Sequence, residues 1–456
     1  AVSDDQVKRF EASGWQTLAA DGHDPASVRA ALEAAQAETG RPTMIAVRTE
    51  IGFGSPNKAG TAGVHGAPLG ADEIAAARET LGWHHAPFEV PDEILAAWRA
   101  AGARGGEAYK AWAGRWAALD AAKRAAFEDP MNGEIAAAVT RAISDLKKQI
   151  VDGGETKATR VWSQIAIEAL LPVVPGLVGG SADLTGSNNT RGKGQPVVSG
   201  EDFTGSYIHF GVREHAMAAA MNGLALYGGL IPYGGTFLVF TDYCRPSIRL
   251  SALMGVGAIY VMTHDSIGLG EDGPTHQPVE HLASLRAMPN VNVFRPACGV
   301  ETAECWELAV KARTTPSVLA LTRQGVRNAR SDSDGENLSA RGGYVVAGDE
   351  GGRAVTLIAS GSEVGLALEA CEALAAKGVP AAVVSMPCVE LFEAQDEGYR
   401  ARILGDAPRI VVEAGVRAGW DRLMNPGDRF IGMSSFGVSA PAAEAYRHFG
   451  ITTDAI

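Results

Sequence analysis

The stretch THDSIGLGEDGPTHQPVE, residues 263–280, predicts the fold of the chain around it. It follows the apolar run AIYVM, residues 258–262, whose length and β-rich composition are typical of a buried parallel strand. In open α/β sheets, ligands bind in the crevice beyond the carboxyl ends of the strands. The stretch leaves its strand at that edge, and its glycines allow the backbone to turn tightly. We therefore predict an α/β fold with a site near this loop.

The loop carries five ionisable side chains within thirteen residues: His264, Asp265, Glu271, Asp272 and His276. A solvated surface loop is one interpretation, because charged loops are common. A metal site is another, because histidine and carboxylates are hard-to-borderline ligands. The stretch has neither His-x-x-x-His spacing nor a cysteine, which argues against zinc, and we predict no metal ligands in this chain. A polar small-molecule site is the third interpretation. The spacing of the residues alone does not favour it over a surface loop.

Composition limits the class of protein. A chain of 456 residues with 46% hydrophobic content has room for two to four domains, each with its own core. The net charge of -13 argues against nucleic-acid and membrane-surface partners. No run of 18 apolar residues and no signal peptide occurs, so we expect a soluble protein. The five cysteines are scattered and odd in number, which favours reduced thiols in the cytoplasm over a disulfide framework.

Strand and helix patterns alternate along most of the chain. We predict strands at residues 43–49, 176–178, 207–210, 258–262, 291–294, 317–321, 354–359, 381–386 and 409–412. Helices are predicted from Ser163, from Arg213, and over residues 236–254 and 363–377. Such alternation is typical of doubly wound, mostly parallel sheets with helices on both faces. Residues 1–115 hold too few strands for an independent sheet, so we expect this first domain to be incomplete.

The amino-acid sequence of several segments closely resembles that of the transketolase family of thiamine-diphosphate enzymes. Residues 263–280 match the family's pyrimidine-domain signature. The other matching phrases are VHGAPLG (64–70), GGSADLTGSN (179–188), HFGVRE (209–214), TFLVFTDY (236–243) and LTRQ (321–324). The resemblance implies a three-domain, thiamine-diphosphate-binding α/β fold. It makes residues 1–115 a remnant of the diphosphate-binding domain, 116–155 a helical linker, 156–330 the pyrimidine-binding domain, and 331–456 a C-terminal domain with a mainly structural and dimer-forming role.

The resemblance also implies a reaction. A two-carbon ketol unit would pass from a ketose phosphate to an aldose phosphate through the C2 carbanion of thiamine diphosphate, as in the pentose phosphate pathway. Glu214 is then the carboxyl group that hydrogen-bonds N1′ of the aminopyrimidine and promotes its imino tautomer. A carboxylate in the first turn of a helix also has a plain structural role, which is to stabilise the helix dipole.

Aromatic side chains in the same region are implied to hold the cofactor ring. Phe240 stacks on the aminopyrimidine, and Phe237 and Tyr243 form the walls of its pocket. Their spacing of three residues is also that of an ordinary core-facing stripe on a helix. Asp183 is implied to lie near the cofactor, and His65 to contact both a cofactor phosphate and the substrate. A lone loop histidine such as His65 is more often structural.

Substrate contacts follow from the same matches. Arginine suits phosphate because its guanidinium offers two parallel donors, although an isolated arginine is more often a surface charge. The implied substrate-binding residues are His65, Arg160, Ser187, His264, Asp272, His276 and Arg323. Arg160, Ser187 and Arg323 would bind the phosphate, with His264 and His276 at phosphate and sugar hydroxyls. Asp272 would read the configuration of the C2 hydroxyl.

Part of the family pattern is absent. The chain has no Gly-Asp-Gly motif, so the ligands of the Mg²⁺ (or Ca²⁺) that bridges the cofactor's diphosphate are expected upstream of Ala1. The chain begins without Met, and the resemblance covers it as the later two thirds or so of a family member. The resemblance further implies a homodimer whose active sites lie at the subunit interface.

Several alternatives stay open at this point. The absent metal motif favours a catalytically inactive fragment or one subunit of a split transketolase. Dihydroxyacetone synthase and deoxyxylulose-phosphate synthase use the same cofactor. The phrase GEDGPTHQPVE favours transketolase over the latter.

Overall fold

A computed structural model of the protein describes residues 3–331, 333, 335–348 and 351–456. The described chain divides into two compact units, residues 1–115 and residues 116–456.

The first unit contains a two-stranded parallel sheet. Its strands are β1 (Gln16–Asp21) and β2 (Thr43–Arg48), with Gln16 opposite Thr43. Its helices are α1 (Gln6–Ala12), α2 (Pro25–Ala37), α3 (Ala71–Thr80) and α4 (Asp92–Ala103), and α5 (Gly106–Ala118) runs past residue 115. The sequence pattern predicts β2 but not β1, because the alanines of β1 have low β-propensity.

The second unit opens with two helices, α6 (Ala121–Glu128) and α7 (Gly133–Gly153). A six-stranded parallel sheet follows in the order β5-β4-β6-β7-β9-β8. Its strands are β4 (Leu177–Ser181), β5 (Tyr207–His209), β6 (Ile231–Phe237), β7 (Ile259–Thr263), β8 (Asn292–Phe294) and β9 (Ser317–Leu321). Two short strands, β3 (Lys157–Ala158) and β10 (Gly325–Val326), pair antiparallel beside it.

Helices cover both faces of the six-stranded sheet. They are α8 (Thr159–Leu170), α9 (Thr185–Asn188), α10 (Glu214–Tyr227), α11 (Thr241–Met254), α12 (His281–Arg286) and α13 (Gly299–Lys311). Strand β7 shows the alternation: Ile259 and Val261 join the core with α7, α8 and α13, whereas Tyr260 and Met262 join the core with α10, α11 and α12. The predicted parallel strand, buried on both faces, is confirmed.

A five-stranded sheet completes the chain, in the order β11-β13-β12-β14-β15. Its strands are β11 (Tyr344–Gly348), β12 (Val355–Ala359), β13 (Ala381–Ser385), β14 (Arg409–Val412) and β15 (Arg429–Ile431). All pairs are parallel except β11 with β13. The helices here are α14 (Glu363–Ala376), α15 (Val389–Glu393), α16 (Glu397–Leu404) and α17 (Ala442–His448). The prediction of mostly parallel α/β sheets is confirmed.

Two predicted helix boundaries were wrong. The helix predicted from residue 236 begins at Thr241, because β6 continues to Phe237 and a 3-10 turn, Leu238–Phe240, intervenes. A buried central strand is apolar throughout, so its last residues extended the helical pattern. The helix predicted from Ser163 begins at Thr159. Arg160 therefore lies in the first turn of α8 rather than before a helix.

Candidate active site

The carboxyl ends of the parallel strands bring separate parts of the sequence to one edge of the sheet. Phe237 ends β6, His264 directly follows β7, and Arg323 lies two residues after β9. Phe237 is opposite Thr263 in the register, and Thr263 is opposite Leu321. This edge is where α/β sheets bind ligands.

Aromatic rings form a continuous group at this edge. The ring of Phe237 stacks on His264 at 3.7 Å between centroids and lies parallel to Phe240 at 5.6 Å. Phe240 contacts Tyr243 at 5.7 Å and the edge of His276 at 5.6 Å. Phe237 is nearly buried, whereas Tyr243 is largely exposed. A strand end followed by a 3-10 turn thus brings these aromatics together and exposes one end of the group.

Glu214 lies next to the aromatic group. It is the first residue of α10 and is only 9% exposed. Its Oε1 lies 3.5 Å from the hydroxyl of Thr236, which directly precedes Phe237. Burial raises the pKa of the Cys244 thiol on α11 to about 12, and the charge of Glu214 adds to that rise. The carboxylate therefore sits between α10, α11 and the end of β6.

Basic side chains gather beside the rings. The Arg160 guanidinium donates to the carbonyl oxygen of Ser187 at 2.5 Å, and Arg323 donates to the carbonyl oxygen of Leu269 at 2.8 Å. Neither arginine forms an ion pair with a carboxylate of the described residues. Burial lowers the pKa of Arg160, and the charge of Arg323 lowers it further. Two uncompensated cations, one of them in the first turn of a helix, are suited to a phosphate.

His264 links the basic and aromatic groups. It is 3% exposed and has a backbone φ of +60°, a conformation uncommon outside glycine. Burial lowers its pKa to about 3, and Arg160, Arg323 and His276 lower it as well. The ring is therefore neutral, stacks on Phe237 and lies within electrostatic reach of both arginines.

Three residues named from the sequence have no hydrogen bond, ion pair or ring contact with this group among the described residues. Asp183 and Asp272 are exposed and make no hydrogen bond or ion pair with a described residue. His65 belongs to the first unit, where it is exposed and follows the 3-10 turn Ala62–Val64. The second unit itself brings together Arg160, Ser187, Glu214, Phe237, Phe240, Tyr243, His264, His276 and Arg323.

Asp265 turns away from the binding edge into a buried ion network. Its Oδ2 accepts from Nε of Arg295 at 2.9 Å, and Arg295 also pairs with Glu363 of α14. Glu413 pairs with Arg286 through two bonds of 2.9 Å. The network joins the loop after β7 to the five-stranded sheet. The sequence offered no signal for it, because its members lie far apart along the chain.

One other group of side chains has the chemistry of metal ligands. Among the residues the structure describes, the ligand atoms of Asp242, Glu280 and His281 lie within 4.8 Å of one another. Nε2 of His281 on α12 lies 3.3 Å from a carboxylate oxygen of Asp242 on α11.

Within the described part of the chain, no helix combines the length and apolar character needed to cross a membrane.

Three family models match the chain. They describe the transketolase thiamine diphosphate binding domain (residues 1–136), the transketolase pyrimidine binding domain (155–328) and the transketolase-like C-terminal domain (342–452). A transketolase of Cereibacter sphaeroides is 57% identical over the whole chain, and one of Sinorhizobium medicae is 53% identical. The chain spans 69% and 65% of those two proteins.

Solved transketolases share the fold. The enzyme of Leishmania mexicana superposes with a TM-score of 0.87 at 40% identity, covering 100% of this chain and 67% of its own. A Pichia stipitis transketolase in complex with sedoheptulose-7-phosphate gives 0.87 at 36% identity, covering 100% and 68%. An inactive β4 tetramer of a split-gene transketolase gives 0.54 at 25% identity, covering 66% of this chain and 96% of its own.

Proposed function

Since the chain belongs to the transketolase family of transferases, we propose that it catalyses ketol transfer from a ketose phosphate to an aldose phosphate, as in the pentose phosphate pathway. The observation that carries this proposal is the pairing of two groups at one edge of the sheet. A buried carboxylate, Glu214, adjoins aromatic rings, and unpaired arginines lie beside the same rings. The first group suits a flat heterocycle and the second suits a phosphate.

The residues of the second unit fit the aminopyrimidine end of thiamine diphosphate. Glu214 would accept a hydrogen bond from, or donate one to, the N1′ atom of the ring, while Phe240, Phe237 and Tyr243 enclose its faces. When bound, thiamine diphosphate supplies the nucleophilic carbon that accepts and releases the two-carbon unit. Glu214 is buried and mostly unpaired, so its carboxyl group is available to exchange a proton with that ring nitrogen.

The basic group would hold the sugar phosphate. Arg160 and Arg323 supply two cations, and the α8 N-terminus adds its positive dipole. Ser187, His264 and His276 would add hydrogen bonds to the phosphate and the sugar hydroxyls. In this proposal Asp272 contacts the C2 hydroxyl, Asp183 the cofactor, and His65 both ligands.

The domain assignment accompanies this function. We assign residues 1–115 to the diphosphate-binding domain, 116–155 to a linker, 156–330 to the pyrimidine-binding domain and 331–456 to a C-terminal domain. In this proposal the cofactor's diphosphate is bound together with Mg²⁺ or Ca²⁺, which prefers oxygen ligands. The given sequence has no Gly-Asp-Gly motif to supply those ligands.

A homodimer with active sites at the interface is part of the proposal. The exposed residues of α10 include Ala216, Ala219, Ala220, Gly223 and Leu226, together with His215 and Tyr227 at the two ends of the helix. Leu250, Leu253 and Met254 of α11 are also exposed. Exposed large apolar side chains that cluster on packed neighbouring helices are typical of a subunit interface.

A second candidate is one subunit of a split transketolase. The split-gene protein, which is covered over 96% of its length by this chain, supports this alternative.

All five cysteines are free, which supports a reducing compartment such as the cytoplasm.

The decisive experiment is titration with thiamine diphosphate and Mg²⁺ followed by a ketol-transfer assay on wild-type protein and Glu214→Gln. We expect the variant to lose about 10²- to 10⁴-fold in kcat, because its amide cannot exchange the ring-nitrogen proton. Glu397→Gln is the matched control, since Glu397 is also the first residue of a helix but is exposed. Near-normal turnover by Glu214→Gln would refute the catalytic role. Cofactor binding without transfer by the wild-type chain would favour the split-subunit candidate.

A further inference from the structure

Three buried side chains form a hydrogen-bonded chain that ends on His264. Nδ2 of Asn188 lies 2.9 Å from Oγ1 of Thr263, and that oxygen lies 2.8 Å from Nδ1 of His264. Asn188 and Thr263 are fully buried, and His264 is nearly so. The three residues come from α9, the end of β7 and the residue after it.

The direction of the first hydrogen bond is set by the backbone. Nδ2 of Asn188 also lies 2.6 Å from the carbonyl oxygen of Thr236. A carbonyl oxygen only accepts, so the amide nitrogen of Asn188, rather than its oxygen, must face this side. The amide therefore donates both to Thr236 and to the hydroxyl of Thr263.

The second hydrogen bond follows from the first. The Thr263 hydroxyl has a single proton, and Asn188 and His264 are its hydrogen-bond partners among the described residues. A protonated Nδ1 on His264 would make the hydroxyl accept twice and leave its own proton buried without an acceptor, which is unfavourable. The hydroxyl therefore donates to an unprotonated Nδ1.

We propose that Asn188 and Thr263 are positioning residues that hold His264 in the neutral tautomer with its proton on Nε2. The ring then presents an N–H donor, rather than a lone pair, to the phosphate that Arg160 and Arg323 would bind. The phosphate contact rests on the proposed function, whereas the tautomer rests on the hydrogen bonds alone.

The surroundings of His264 agree with this assignment. The charged and titratable groups around it are Arg160 of α8, Arg323 after β9 and His276 of the 263–280 loop, and each disfavours an imidazolium. Stacking on Phe237 at 3.7 Å holds the ring plane. Nε2 makes no hydrogen bond with a described residue, so this nitrogen is available to a ligand.

The tautomer is measurable without any assay of activity. In the full chain labelled with [¹⁵N]histidine, long-range ¹H–¹⁵N spectra distinguish a protonated from an unprotonated ring nitrogen, and His264→Asn identifies the resonances. We expect an unprotonated Nδ1 in the wild type and in Thr263→Ser, which keeps the hydroxyl. In Thr263→Val the Nδ1 resonance should move because its donor is gone. A protonated Nδ1 in the wild type, or an unmoved resonance in the valine variant, would overturn the proposal.

Kinetics test the consequence for phosphate. In the holoenzyme, Thr263→Val should raise KM for a phosphorylated ketose by about tenfold, the size of one weakened hydrogen bond to a charged group, with little change in kcat. KM for a ketose lacking the phosphate should stay unchanged, and Thr263→Ser should resemble the wild type. Equal losses on both substrates would overturn the positioning role. If no transfer is detected, inorganic phosphate replaces the substrate, and it must shift Nε2 of His264 more in the wild type than in the valine variant.

Discussion

At the scale of single residues, His264 shows how much of the site depends on its surroundings. A histidine on a surface loop would be partly charged near neutral pH. Here burial and three cationic or titratable neighbours keep the ring neutral, with a pKa lowered to about 3. Neutrality allows one ring nitrogen to accept from Thr263 while the other is free to donate to a ligand.

This lowered pKa predicts a specific dependence of stability on pH. In the unfolded chain a histidine gains a proton below pH about 6.5, whereas folded His264 stays unprotonated down to about pH 3. The unfolded state therefore binds more protons in this window, so the free energy of unfolding falls as pH falls. Between pH 7.5 and 5, His264 should contribute a loss of about 2 kcal/mol.

Urea denaturation of wild type and His264→Asn at both pH values measures this loss. Asparagine is a suitable replacement because it tolerates the positive φ of this position. The wild type should lose more stability than the variant on acidification. Identical pH dependence in the two proteins would contradict a depressed pKa.

At the scale of structural elements, the loop after β7 is held from two sides. His264 stacks on Phe237 at the binding edge, and Asp265 pairs with the buried Arg295. Arg295 also pairs with Glu363 at the start of α14, so a charge network ties this loop to the five-stranded sheet. Removing one partner of a buried ion pair is strongly destabilising, because it leaves an uncompensated charge in the interior.

Removing the central cation of this network should therefore be costly. Arg295→Met leaves Asp265 and Glu363 buried without their partner, and we expect a loss of about 3–5 kcal/mol in the free energy of unfolding. The matched control is Arg417→Met, because Arg417 pairs with Asp421 at the surface. That exposed pair should contribute no more than about 1 kcal/mol. Equal denaturation midpoints for the two variants would exclude a structural role for the network.

At the scale of the whole molecule, α10 and α11 expose apolar side chains that another protein surface could cover. Apart from His215 and Tyr227, the exposed positions of α10 are alanine, glycine or leucine, and the small ones allow another backbone to approach closely. A second copy of the chain is the partner we propose for them.

This proposal predicts that a charge on α10 weakens association. Ala220→Glu places a carboxylate on the exposed face, and it should shift the dimer toward monomer in sedimentation-velocity experiments at micromolar concentration. Ala373→Glu is the control, since Ala373 is an exposed alanine on α14 outside this face. Ketol transfer should fall along with the dimer fraction if the active sites lie at the interface. A dimer that persists in Ala220→Glu would exclude this face.

The sequence by itself determined the parallel strand before residue 263, the α/β class and the side chains that follow the strand ends, because each of these depends on local composition and on the direction of the chain. Only the tertiary structure decided which of the five ionisable side chains of residues 264–276 face the binding edge. His264 and His276 contact the aromatic rings, Asp265 meets Arg295, and Glu271 and Asp272 are exposed.

The same limit applies to the boundary at Thr241 and to the contact of Thr263 with Asn188. An apolar run has the same local pattern in a buried strand end and in a helix. A hydrogen bond between residues 75 positions apart leaves no local pattern at all. Strand pairing decides both features. Pairing with β7 keeps Phe237 in β6, and it also places the Thr263 hydroxyl where Asn188 can satisfy it.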